Sequence, residues 1–222
     1  INWFSANGVA IITRSLGAAY DGPGDGTGPL ASVVDAAAAK GITWFNSGGN
    51  DAAGSYGRFT EGVDASGYVD FLAGAGVDTG LSVFPDSSGC IGLDGVRWSD
   101  WNKAAAQTTD YALEVWDATN TVLLRTVDAR QTNGAVPLEG ADEFECNGTR
   151  TLRLRRVATG GDPSADVVEV GLFVGDLERS QSAYSAAKPV VDSRSPALVA
   201  VGAIDPPAGS QIGSYSSQGP TN

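Results

Sequence analysis

The chain has 222 residues, a net charge of −12 and no His, with 42% hydrophobic and 18% charged side chains, 30 glycines and 10 prolines. The acidic excess repels phosphate backbones and anionic lipid surfaces, which argues against nucleic-acid or membrane-surface binding. Without His the chain can hold neither a His-based zinc site nor a complete Ser-His-Asp triad, and no apolar run approaches the ~20 residues of a membrane span.

The glycine and proline content favours turns and short strands over long helices. The acidity suits a secreted or soluble protein, one able to bind cations. There is no Met and the sequence opens at Ile1 in mid-pattern, so an internal piece of a longer protein is expected.

The first stretch has the grammar of an α/β unit. Val9-Ala10-Ile11-Ile12 reads as a strand buried on both faces. A Gly-, Asp- and Pro-rich loop runs from Gly17 to Pro29 and lacks the Gly-Lys-Ser/Thr of a phosphate-binding loop. Leu30 to Lys40 reads as a helix with Leu30, Val33, Val34 and Ala37 on one face, stopped by Gly41. Ile42-Thr43-Trp44-Phe45-Asn46 follows as a second buried strand, completing a right-handed crossover unit.

From about Gly67 to Gly175 the pattern changes to period-two alternation. Tyr111, Leu113 and Val115 alternate with Ala112, Glu114 and Trp116. Leu152 and Leu154 alternate with Arg153 and Arg155, and Val168, Val170 and Leu172 form a further set. Turn residues separate the runs, which predicts an antiparallel β-sandwich. Ala197 to Ala203 then returns as a continuous apolar strand, followed by Ile212-Gly213-Ser214-Tyr215-Ser216-Ser217.

Three blocks in order resemble the subtilisin-like serine peptidases. Val9 to Gly17 looks like that family's strand ending in Ser-Leu-Gly, preceded by a helix that would hold Trp3 and Phe4. Gly41 to Asp51 looks like its strand ending in an Ala-Gly-Asn-Asp type motif. Ser195 to Asp205, with Ile212 to Pro220, is similar to its Val-Gly-Ala strand and Ser-Ser-x-Gly-Pro segment. Thr13 and Arg14 stand where the family usually has Asn and Met, and Gly48 where it has Ala.

The resemblance implies an α/β fold, a partial subtilisin-like parallel-sheet core, interrupted by an antiparallel β-sandwich. The expected parts are 1–59 and 186–222 for the core and 60–185 for the insertion. It also implies a serine endopeptidase acting on protein or peptide substrates, secreted or at the cell surface. Asn50 would donate to the oxyanion, Ser15-Leu16-Gly17 would pair with an extended substrate, and Ser47-Gly48-Gly49 would wall the adjoining pocket. All three triad residues are absent, so these residues alone should be inactive, and no cofactor is required. The exposed core fragment is expected either to be partly disordered or to be shielded by a second copy in a dimer. The alternative is a non-catalytic frame presenting the sandwich to a protein or carbohydrate.

Cys90 and Cys146 are the only cysteines, read either as one disulfide or as two buried thiols. The segments around Trp98, Trp101 and Trp116 resemble the β-sandwich modules of pre-peptidase C-terminal type. Those three Trp are read as core or as an aromatic binding face. Asp100, Asp110, Asp117, Asp162 and Asp166 are read as a solvated face or as oxygen ligands for a structural calcium. Asp78-Thr79-Gly80 resembles an aspartic-protease signature, but its poor second copy at Asp86 lies too near to come from another lobe, and it reads as a turn.

Overall fold

The computed structural model describes residues 1–16, 22–50, 54–131, 134–140, 143–158, 160–179, 193–205 and 211–217. The chain divides into two compact units, residues 1–52 with 183–222, and residues 53–182.

The first unit holds a short helix α1 (Asn2–Ala6), strand β1 (Ile11–Arg14), helix α2 (Ala31–Ala38), strand β2 (Thr43–Ser47) and the last strand of the chain, β13 (Leu198–Val201). The three strands form a parallel sheet in the order β1-β2-β13. Ile12, Trp44 and Leu198 lie in one row across it and pack against Val34, Ala37 and Ile42. Alanine-rich sequence favours α2, and Gly41 at φ +72° ends it while the Ile42 N–H reaches back 3.0 Å to the Ala37 carbonyl. The strands alternate, so the row Thr13, Phe45 and Val199 faces the other way. Ile11, Val199 and Val201 are exposed, which departs from the reading of β1 as a strand buried on both faces.

The second unit is an antiparallel sandwich. One sheet runs β12 (Asp176–Leu177), β4 (Leu81–Phe84), β10 (Arg150–Ala158), β6 (Asp110–Asp117), β7 (Leu123–Val127). The other runs β3 (Tyr56–Phe59), β11 (Val168–Val174), β5 (Ile91–Trp98), β8 (Leu138–Glu139), with β9 (Glu143–Glu145) also on β5. Alternate residues of both sheets meet between them: Leu81, Val83, Leu113, Val115, Leu152 and Leu154 from the first, Leu93, Val96, Trp98, Val168, Val170 and Leu172 from the second. At its end Trp98 and Tyr111 meet edge-to-face with centroids 5.1 Å apart. Trp98 Nε1 donates to the Thr109 carbonyl at 3.2 Å, and the Tyr111 hydroxyl donates to Asp166 at 3.0 Å.

The expected antiparallel sandwich is present, and the expectation of an α/β core is corrected. The described residues are mostly β, their α-helices have five and eight residues, and the parallel sheet has three strands. An α/β core is not what dominates the chain. The physical reason is length: among the described residues α2, with eight residues, is the one helix long enough to cover a sheet face, and most strands pair antiparallel with strands distant in the chain.

Cys90 and Cys146 form a disulfide next to the β5–β9 pairing, closing a separation of 56 residues. Cross-linking over that length removes loop freedom from the unfolded chain worth about 4 kcal/mol in the chain-entropy account. Cys146→Ser should lower the unfolding free energy by about that amount in urea titrations and leave the circular dichroism of the folded state unchanged.

Candidate functional site

The carboxyl ends of parallel strands form a common edge. β1 and β2 run in register with Arg14 beside Asn46, so Ser15 and Leu16 leave β1 where Ser47 and Gly48 leave β2. The Gly48 N–H donates to the Val201 carbonyl at 2.8 Å, and the Ser217 N–H donates to the Gly49 carbonyl at 3.1 Å. Ser216 is fully buried, and its hydroxyl accepts the Ala203 N–H at 2.9 Å. These bonds tie the turn after β2 to the segments that follow β13.

Gly49 sits at φ +102°, a conformation that a side chain would strain. Gly48 is buried, Gly49 and Ser47 are half-buried, and Asn50, Ser15 and Leu16 are exposed. The inward-facing amide in this strand is Asn46, only 3% exposed, which accepts from Trp44 Nε1 at 3.4 Å and donates to the Ser47 carbonyl at 2.9 Å. Gly17 lies outside the described residues.

The acidic residues serve the protein's own donors. Asp100 accepts the Thr109 N–H at 2.6 Å and pairs with Lys103, and Asp110 accepts the Gln131 N–H at 3.0 Å. Asp117 takes the Thr119 hydroxyl and the Val122 and Thr121 N–H groups, which hold its carboxyl well below the usual carboxylate range. Asp162 accepts from Ser164, and its carboxyl is likewise lowered. Among the described residues no three His, Cys, Asp or Glu side chains converge as metal ligands. Asp166 differs from these: burial, together with the nearby charge of Asp100, pushes its carboxyl up to about 6.

The three Trp separate by position. Trp98 is 1% exposed and belongs to the core. Trp101 and Trp116 are half-buried. Trp116 points outward from β6 and, with Glu114, Arg153, Arg155 and Tyr68, makes a cluster that the sequence reading did not assemble. Its signal was present in the polar partners of the alternation: if Leu152 and Leu154 face the core, Arg153 and Arg155 face out beside Glu114 and Trp116. The β10–β6 register, which sequence does not give, makes them neighbours.

Compared with known proteins, the chain matches no described family and no curated protein. A solved structure, a Clostridium perfringens CspB protease, is similar with 12% identity and a TM-score of 0.48. That similarity covers 100% of this chain and 47% of the other, so the chain spans about half the length of that structure. The assignment to the subtilisin-like peptidases is therefore corrected: no family match supports it, the neighbour is distant, and the mostly β fold does not fit that family's α/β core.

Asp166 carries a test of the buried polar end of the sandwich. Its carboxyl holds a proton more tightly when folded than its ordinary value of 3.8. Its contribution is thus fully present below that value and is lost as pH rises through about 6. Denaturant titrations from pH 4 to 7 should show wild-type stability falling relative to Asp166→Asn. A constant difference across that range would contradict the assignment.

Proposed function

We propose that this chain is the central part of a secreted or cell-surface serine endopeptidase, with the parallel unit binding the peptide and the nucleophile and its base supplied from outside these residues. What supports the reading is one placement: exposed Asn50 and exposed Ser15-Leu16 follow the carboxyl ends of adjacent parallel strands. Ligands of open parallel sheets bind outside that end of the strands.

In this reading the Ser15-Leu16 segment offers backbone donors and acceptors to an extended substrate, and Leu16 offers an apolar contact. Nucleophilic attack on the scissile carbonyl turns its oxygen into an oxyanion. The Asn50 carboxamide donates an Nδ2–H to that oxygen, which stabilises the developing charge more than the ground-state carbonyl. Glycines at positions 48 and 49 keep the approach to it free of side chains. The antiparallel unit is then a stable accessory domain.

Asn50→Ala in the full-length protein should lower kcat by about 100- to 1,000-fold with KM little changed, as loss of one oxyanion donor does. The isolated chain should not cleave peptides. Unchanged kcat in a folded Asn50→Ala protein would sink the reading.

A further inference from the structure

The outer face of the β12-β4-β10-β6-β7 sheet carries a cation whose charge the fold leaves unmatched. Arg153 points outward from β10, with its guanidinium 4.0 Å from the centroid of the Tyr68 ring and 5.4 Å from that of Trp116. Its Nη2 donates to the Thr79 hydroxyl at 2.9 Å, a neutral partner, and its Nε is shielded and has no hydrogen-bond partner. Glu114 stands directly opposite on β6. That carboxylate is turned to Arg155 Nε at 2.6 Å, Trp116 Nε1 at 3.1 Å and the Tyr68 hydroxyl at 3.2 Å. Arg155 and Glu114 cancel, and among the described residues Arg153 makes no ion pair. The cluster therefore keeps one positive charge on a chain of net charge −12.

We propose that this face binds a glycan ending in a single carboxylate-bearing sugar. Arg153 donates to the carboxylate, and Trp116 and Tyr68, both part-exposed, hold the sugar beside it. Three observations select this ligand. Arg153 lies on β10, an inner strand hydrogen-bonded on both sides, so an extended peptide finds no free edge to pair with there. An aromatic-flanked guanidinium on an acidic protein favours an anion over a neutral sugar. The net charge opposes a polyanion, so one carboxylate on an otherwise neutral chain fits better than a polymer of them. The proposal is independent of the peptidase reading, which concerns the other unit.

The test is calorimetric titration of the whole chain with an oligosaccharide ending in glucuronic acid, and with the same oligosaccharide after reduction of that carboxyl to glucose. The acid-ended form should bind at least tenfold more tightly, and 0.5 M salt should erase most of the difference. Arg153→Gln should abolish the preference. Arg153→Lys, which keeps the charge but not the planar fork, should retain part of it and covers the case in which the Gln variant fails to fold. Equal binding of the two sugars, no binding of either, tighter binding of an acidic peptide, or a preference untouched in both variants would overturn the proposal.

Discussion

Turns of the sandwich depend on one recurring interaction, an aspartate carboxylate accepting backbone N–H groups a few residues further on. Asp64 accepts from Ser66 and Tyr68, Asp70 from Leu72 and Asp78, Asp86 from Ser88 and Cys90, and Asp117 from Thr121 and Val122. At Asp86 and Asp117 the bonds tie down the turns that leave β4 and β6, and at Asp64 and Asp70 they tie down the connection between β3 and β4. A hydrogen bond to a charged group contributes about 1.5–3 kcal/mol when shielded, and ordering one residue's backbone costs about 1–2 kcal/mol. Two such bonds are of that size at the buried Asp70, whereas at Asp86 and Asp117, which solvent reaches, they set the geometry of the turn. The acidity that composition presents as a capacity for cations is in good part spent on the protein's own amides. Asp86, Asp117 and Asp162 accordingly have lowered carboxyl pKa values, so their share of stability is present at neutral pH and is lost on acidification.

That economy also explains how an antiparallel unit sits within the sequence of a parallel one. β2 and β13 are parallel neighbours although residues 48–197 separate them in the chain. The sandwich makes this cheap by closing on itself. The Leu177 N–H donates to the Gly54 carbonyl at 2.7 Å and the Leu172 N–H to the Ser55 carbonyl at 2.8 Å, so the residues that enter the first strand of the unit meet its last two strands. An insertion whose ends lie together adds little closure entropy to the sheet that hosts it.

Local pattern carried much of the fold. Helix α2 and its stop at Gly41 follow from residue type and spacing, and the alternation of Tyr111 to Val115, Leu152 to Leu154 and Val168 to Leu172 shows directly in the buried faces. What lay beyond reach was pairing. Trp98 and Trp116 both sit on strands flanked by polar residues, yet one fills the core and the other stands outside it, because Trp98 is in phase with buried Val96 whereas Trp116 is out of phase with buried Leu113 and Val115. The family resemblance failed for a related reason. Short blocks such as Ser15-Leu16-Gly17 or Ser47-Gly48-Gly49-Asn50 specify a strand end and a turn, which any parallel strand needs, and do not specify how many strands stand beside it. Among the site residues, the exposure of Asn50 and Leu16 could not be read from sequence, whereas the small residues between the strand end and Asn50 could.

The four arginines of β10 differ in their partners. Arg150 pairs with Glu145 at 2.5 Å, Arg155 with Glu114, and Arg156 donates to the Ala158 and Gly160 carbonyls at 3.1 and 3.3 Å. Arg150 and Arg155 thus face carboxylates of the protein itself, and Arg156 faces main-chain carbonyls. Arg153 satisfies only a hydroxyl, which solvent could serve as well. If its task were to fill the space between Tyr68 and Trp116, an aliphatic side chain would do so without the desolvation cost of a guanidinium. A charge kept between two aromatic rings, with the carboxylate opposite it on β6 already committed to another arginine, is what a site for an external anion requires and what packing alone does not.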